Sequence, residues 1–258
     1  MSDGRKHLKN TDFTSFPNIE SDQRKGVPAP PLEKQIPRGA KRVDLVPPEE
    51  FPSALGGQPL VDAIRNRQSR RSFAKISLSL AELSFLLWAT QGIRSIHPKR
   101  VHAFRTVPSG GCRHPFETYL RIQRVDDVAP GLYRYAPLEH QLVEVWLAGD
   151  RDPKDPTLGA ACYEQSFVDT AAVSFVWTAI PYRSEWRYPV DSFKDILLSC
   201  GHICQNLYLA CEAIGAGTCA IVAYNQKMLD AYLNVDGEDE ISLYVAPVGK
   251  LDAPGQGP

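Results

Sequence analysis

Two guanidiniums and a hydroxyl stand side by side at Arg70, Arg71 and Ser72, with Lys75 close behind. A phosphate dianion needs donors of this kind, although a solvated basic run accounts for the same residues. Pro108, Ser109, Gly110 and Gly111 put two successive residues without a Cβ into one loop, so its backbone N–H groups can lie flat against a planar ligand. An ordinary turn before a strand explains that loop equally well. His202, Gln205 and Asn206 recur at i, i+3 and i+4 and form a polar cluster on a helix whose opposite face is apolar, either a ligand-facing or a solvated or interface stripe. Gly215-Ala216-Gly217 opens like a dinucleotide fingerprint. It follows a helix and precedes a strand, however, the reverse of what a pyrophosphate at a helix N-terminus requires. The chain contains no G-x-S-x-G elbow, no G-x-x-x-x-G-K-[ST] phosphate loop and no H-E-x-x-H zinc helix. Cys112, Cys162, Cys200, Cys204, Cys211 and Cys219 include no C-x-x-C pair and no zinc spacing, which predicts buried thiols and no metal.

Positioning these segments requires a scaffold, and the periodicity describes one. Nine of the 21 prolines fall in the first 60 residues. This predicts an extended arm over 1–59, with regular structure beginning near Leu60 in a domain over 60–258. A floppy leader is one reading of this arm, but Phe13, Phe16, Ile19, Leu32, Ile36, Val43, Leu45 and Phe51 recur at intervals suited to docking an extended chain, which favours an arm that wraps the body or a second subunit. VDAIRNR reads as a short helix ending at RRSF. Ser79 and Glu82 form a capping box opening a helix with Leu83, Leu86, Leu87 and Thr90 in one stripe and Gly92 at its end. FETYLRIQRV, GLYRYA and QLVEVWLA read as neighbouring antiparallel strands, and ACYEQSF as a short helical segment. AAVSFVWTAI is apolar almost throughout, as in a strand covered on both faces. From Asp191 to Ile214, Ile196, Cys200, Ile203, Leu207, Cys211 and Ile214 recur every three or four residues and predict a long amphipathic helix with Gly215 at C′. A strand TCAIVA, a helix capped by Asn225 and a strand ISLYVAPVGK complete an α+β order.

The order RRSF, PSGGCRHPFETYL, GLYRY, LLSCGHICQNLYLACEAIGAGT and terminal VGK resembles the nitroreductase family over about Leu60 to Lys250. Within it the chain is most similar to the SagB-type dehydrogenases, flavin oxidases associated with azoline oxidation in thiazole- and oxazole-containing peptides. The resemblance implies an FMN-binding α+β sandwich, a central antiparallel sheet flanked by helices, active as a homodimer with each flavin at the subunit interface. It assigns Arg70, Arg71 and Ser72 to the FMN phosphate and ribityl chain, with Gly249 and Lys250 approaching the same phosphate. Pro108, Ser109, Gly110 and Gly111 would pass along the isoalloxazine ring, and Gly215, Ala216 and Gly217 would line its other side. Where many azoline oxidases carry Trp-Lys-Tyr ahead of the long helix, this chain reads Trp186-Arg187-Tyr188. Arginine stays charged and serves poorly as a base, which weakens the azoline reading. Arg187 would then anchor an anionic substrate and Tyr188 would act through its phenol.

The expected activity is FMN-dependent hydride exchange. It would either reduce nitro or quinone-like acceptors with NAD(P)H or oxidise a small-molecule or peptide-derived substrate. A non-catalytic scaffold subunit of a peptide-modifying complex is the alternative. Lys+Arg at 29 against Asp+Glu at 30 gives −1, so no long-range field favours nucleic acid or an anionic membrane. No apolar run reaches the length of a membrane span, and a cytoplasmic location is expected.

Overall fold

The computed structural model describes residues 18–252 except Arg100, Pro153 and Asp191. Regular structure begins inside the arm, earlier than expected from the proline pattern: β1 (Arg42–Asp44) pairs antiparallel with a later strand, Val43 opposite Leu142. Three residues are too few for a period-two signal to register, which is why composition alone hid it. Next come α1 (Leu60–Asn66), α2 (Leu80–Gln91), and a hairpin of β2 (Ile93–Ile96) and β3 (Ala103–Arg105) that the sequence reading also missed. The sheet continues with β4 (Phe116–Ile122), β5 (Gly131–Ala136) and β6 (Gln141–Leu147). The single segment expected at ACYEQSF is two short helices, α3 (Leu158–Ala161) and α4 (Ser166–Thr170), separated by a turn with Tyr163 and Glu164 at positive φ. Then follow β7 (Val173–Ala179), α5 (Tyr182–Glu185), α6 (Ser192–Ala213), β8 (Ala216–Thr218), α7 (Gln226–Leu233) and β9 (Ile241–Lys250). The strand expected at TCAIVA lies earlier, in Ala216–Thr218, and Ile221 makes only an isolated bridge to Val245.

Among the described residues seven strands form one sheet in the order β1-β6-β5-β4-β7-β9-β8, every neighbouring pair antiparallel. Helices α2 and α6 cover one face, where Leu83, Leu86 and Leu87 meet Leu120, Phe175, Trp177, Ile203 and Leu207. On the other face Tyr119, Leu132, Val176 and Val245 pack under Leu158, Phe167, Leu229 and Leu233 of α3, α4 and α7. β7 is buried at all seven positions, as a central strand covered on both sides must be.

The capping box of α2 is complete: Glu82 N–H donates to Ser79 Oγ at 3.2 Å and Ser79 N–H to Glu82 Oε2 at 2.9 Å. Gly92 ends this helix with extended backbone. Its small size is what matters, since a Cβ there would stand 2.5 Å from the Trp88 carbonyl oxygen. Gly215, at φ +65°, does supply the left-handed residue after α6.

Phe13 and Phe16 lie outside the described residues. Of the remaining apolar arm positions, Leu45 is buried and Phe51 packs edge-on against Phe85 and Trp88. Polar anchors do as much. Lys34 donates from its backbone N–H to Glu117 Oε1 at 2.9 Å and from Nζ to Glu240 Oε2 at 2.5 Å and Tyr119 Oη at 3.0 Å. The Leu138 N–H donates to Glu33 Oε2 at 2.9 Å. Beneath the arm, Glu117 is 2% exposed and receives Arg134 and Arg183 at 2.9 and 2.6 Å. Burial pushes its carboxyl up, and the two guanidiniums outweigh that and hold it below the usual carboxylate range. Among the described residues no helix is long and apolar enough to cross a membrane and no acidic, His or Cys cluster could hold a metal ion. All six cysteines are free, and only Cys112 is not buried.

Candidate functional site

The residues singled out in the sequence assemble into two groups, one at each end of α6. At its N-terminal end, the Pro108–Gly111 loop docks on the first turn of the helix: Gly110 N–H donates to Asp195 Oδ1 at 3.1 Å, and Ser199 Oγ donates to Ser109 Oγ at 3.3 Å. The loop is tightly curled. Gly111, Cys112 and His114 have φ of +56°, +54° and +43°, and two of those are costly for residues with a Cβ. A Cβ at Gly110 would fall 2.1 Å from Asp195 Oδ1, and one at Gly111 would fall 2.7 Å from Tyr188 Oη and 3.1 Å from Arg187 Cδ. The pair expected to meet substrate therefore lies directly against the double glycine, with the Arg187 guanidinium 5.3 Å from the centre of the Tyr188 ring.

Arg113 ties the two segments together. Its Nε donates to the Arg183 carbonyl at 2.7 Å, and its guanidinium lies 4.8 Å over the Trp186 ring. Burial, with Arg105 and Arg113 adding to it, pushes the His114 imidazole down to about 2, so this ring is neutral. Burial pushes the Asp195 carboxyl up against the pull of the Gly110 N–H, and its second oxygen is buried without a partner.

At the C-terminal end the Ser69–Ala74 segment runs beside β8 and β9. Arg70 N–H donates to Thr218 O at 2.9 Å and Ala74 N–H to Lys250 O at 2.9 Å. A Cβ at Gly217 would strike Arg70 Cγ at 2.5 Å and one at Gly249 would strike Phe73 at 2.7 Å, so both glycines let the basic segment lie against the strands. Arg70, Arg71, Ser72, Gly215, Ala216, Gly217, Gly249 and Lys250 thus share one corner. Arg71 and Ser72 are exposed, and Arg70 Nε and Thr218 Oγ1 are buried polar atoms without a partner. Such orphaned groups together with exposed donors fit a bound anion. Two acids temper the charge. Glu212 lies 3.7 Å from Arg70, and Lys250 Nζ is held by Glu82 Oε1 at 2.5 Å and the Ile214 carbonyl at 2.7 Å. Lys250 therefore also braces the start of α2 and the end of α6.

Two expectations change. Asn206 is no part of a solvated stripe: its Nδ2 donates to the Ala89 carbonyl at 2.8 Å and ties α6 to α2, leaving His202 and Gln205 exposed. Gly110's N–H is already given to Asp195, so of the loop only other donors can face a ligand. Asp195 and Arg113 were missed as site-shaping residues. An acid in a first helical turn is commonplace, and nothing in a linear pattern pairs position 195 with 110.

The two corners are far apart. From Asp195 to Ala213 the helix rises roughly 27 Å at 1.5 Å per residue, more than a ribityl chain spans.

Comparison with known proteins bears on this arrangement. A relative from Methanocaldococcus jannaschii, given a provisional nitroreductase name, is 29% identical over 191 residues, 74% of this chain and 90% of its own. The trifolitoxin operon protein TfxC of Rhizobium leguminosarum is 26% identical over 255 residues, 93% of this chain and 67% of its own. A solved structure from Ralstonia eutropha, also provisionally named a nitroreductase, superposes with a TM-score of 0.65 at 25% identity, over 88% of this chain and 99% of its own. One from Desulfovibrio desulfuricans, in complex with FMN, shares the fold at a TM-score of 0.50 and 18% identity over 78% and 91%. The nitroreductase family model matches residues 64–250, a span that holds the β2–β3 hairpin, the main sheet from β4 to β9, both corners and the helix between them, and the chain belongs to the nitroreductase family.

Proposed function

We propose that this chain is an FMN-dependent oxidoreductase that works as a homodimer, each site built from the C-terminal corner of one α6 and the N-terminal corner of the other. The separation of the two corners along α6 carries this reading, because two copies laid antiparallel along that helix bring each basic corner to the other copy's double-glycine loop. Leu197 and Leu198 on α6, with Leu60, Val61 and Ile64 on the neighbouring α1, are large apolar side chains more than half exposed, a surface suited to a second copy.

Arg70, Arg71 and Ser72 hold the phosphate, with Gly249 alongside, while Lys250, paired with Glu82, braces the corner from behind. Gly215 is exposed and a Cβ there would meet nothing within 4 Å, which leaves room for a ring beside it, whereas Ala216 is buried and Gly217 lies under Arg70, so those two back the site without facing the ring. Pro108, Ser109, Gly110 and Gly111 of the second copy close over it. When bound, FMN would supply the redox chemistry, hydride exchange between a nicotinamide donor and the acceptor. Arg187 holds an anionic acceptor and offsets charge that develops on it, and Tyr188 holds a phenolic proton beside Gly111. A nitro or quinone-like acceptor needs no more than this. The resemblance to SagB-type dehydrogenases, together with the similarity to TfxC over 93% of this chain, supports a second reading, that the substrate is derived from a peptide and reaches the protein in a complex.

Complementation tests the dimer. Arg70→Ala with Arg71→Ala in one chain, and Gly111→Val in the other, should each abolish turnover and flavin retention when homodimeric. Co-expressed with different tags and purified through both, the heterodimer has one intact site of two and should recover about half the wild-type activity per dimer. A heterodimer as inactive as its parents would show that the two corners do not meet across chains.

A further inference from the structure

We infer that the turn Ser21–Val27 of the arm, acting through Trp186, is a positioning clamp for Arg187 and Tyr188. This rests on the reading above that those two side chains face the substrate. Trp186 is 5% exposed and is gripped at both ends by one short turn: Gln23 N–H donates to its carbonyl at 2.9 Å, and its indole N–H donates to the Val27 carbonyl at 2.9 Å. A third tie, Tyr182 Oη to Asp22 Oδ2 at 3.0 Å, fixes the start of the same helical turn. The gripping turn is itself closed, with Ser21 O accepting from Arg24 and Lys25 and Asp22 O accepting from Val27. Arg113, next to the double-glycine loop, stacks on the same indole, 4.8 Å from its centre.

Trp186 is thus a wedge between the arm and the loop. Arg187 is one Cα step away, about 3.8 Å, and both Arg187 and Tyr188 donate their backbone N–H groups to Ser184 O. Gly111 leaves no room for a methyl group between itself and the Tyr188 hydroxyl, so a shift of even about 1 Å here changes the geometry presented to a substrate. The arm therefore sets the site, and its grip is separate from the phosphate corner at the far end of α6.

The test uses the full-length holoprotein and compares two acceptors with NADPH as donor: the anion para-nitrobenzoate and an uncharged naphthoquinone. Arg187→Ala should raise the ratio of their KM values about tenfold or more, the loss of one charge-assisted contact. Trp186→Phe keeps the ring under Arg113 and removes the indole donor. It should raise the same ratio about three- to tenfold with FMN content unchanged. A purely structural loss would lower both activities together and leave the ratio alone. Tyr182→Phe, which loosens only the outer tie, should shift the ratio in the same direction and decides the matter if Trp186→Phe fails to fold. If Arg187→Ala moves the ratio and neither clamp variant does, the clamp is refuted. If Arg187→Ala itself leaves the ratio unmoved, the reading of Arg187 falls first, and the clamp with it.

Discussion

A methyl group added at Gly110 has no room, because its carbon would lie 2.1 Å from Asp195 Oδ1 and 2.5 Å from Cγ. Gly110→Ala must therefore turn the carboxylate away from the loop and forfeit the N–H bond that now joins loop to helix at 3.1 Å. Overpacking a fitted contact costs about 1–3 kcal/mol. Asp195→Ala loses the same hydrogen bond, about 1–2 kcal/mol, but also frees the space. With both changes together the methyl group enters the volume the carboxylate has left, so the double variant should be no less stable than Asp195→Ala alone. The expected coupling is about 1–3 kcal/mol of non-additivity. The assay is urea unfolding of the four proteins at one protein concentration, since a dimer's stability depends on it, with slopes compared as well as midpoints. Costs that simply add would mean that Asp195 does not occupy the space in front of Gly110. The account of why this loop carries glycine would then be wrong.

The buried Glu33 carboxyl, pushed up to about 7 by burial with Glu139 adding to it and the Leu138 N–H opposing, titrates near neutrality. A raised carboxyl favours the docked arm below the ordinary carboxylate range and loses that contribution as pH rises through about 7. Hydrogen exchange at the Leu138 amide, corrected for intrinsic rate, should show less protection at pH 8 than at pH 5.5, and Glu33→Gln should flatten the difference. Protection that climbs with pH in the natural protein would contradict this assignment. For catalysis, the natural protein should reduce a quinone or nitroaromatic with NAD(P)H and oxidise an azoline peptide poorly, while Arg187→Lys should raise azoline oxidation by restoring a side chain able to lose its proton. Efficient azoline oxidation by the natural protein without any response to NAD(P)H would reverse the proposed direction.

The long elements were legible because each carries its own periodicity. The stripe of α6 predicted its extent to within a residue at either end, and the Ser79–Glu82 box marked the start of α2. β7 announced its two covered faces by lacking polar alternation. Short strands were not legible: β1, β2 and β3 hold three or four residues each, and their pairing partners supply the stabilisation that their own composition lacks. The β8 strand was displaced for a related reason. TCAIVA has the β-branched and apolar residues of a strand, yet the chain pairs at Ala216–Thr218 because Gly217 alone lets Arg70 lie against it.

Residue type determined which groups could bind a phosphate or lie against a ring: guanidiniums at 70 and 71, consecutive glycines at 110 and 111, and an arginine where a basic lysine would otherwise stand. Those properties are chemical and travel with the residue. Tertiary structure decided where these groups went. It put the double glycine against Arg187 and Tyr188, gave Gly110's N–H to Asp195, turned Lys250 toward Glu82, and set the basic corner and the loop at opposite ends of one helix. The physical reason is that contacts between residues 76 or more apart along the chain depend on how the helices pack on the sheet, and packing is a property of the whole core that no local window of sequence contains.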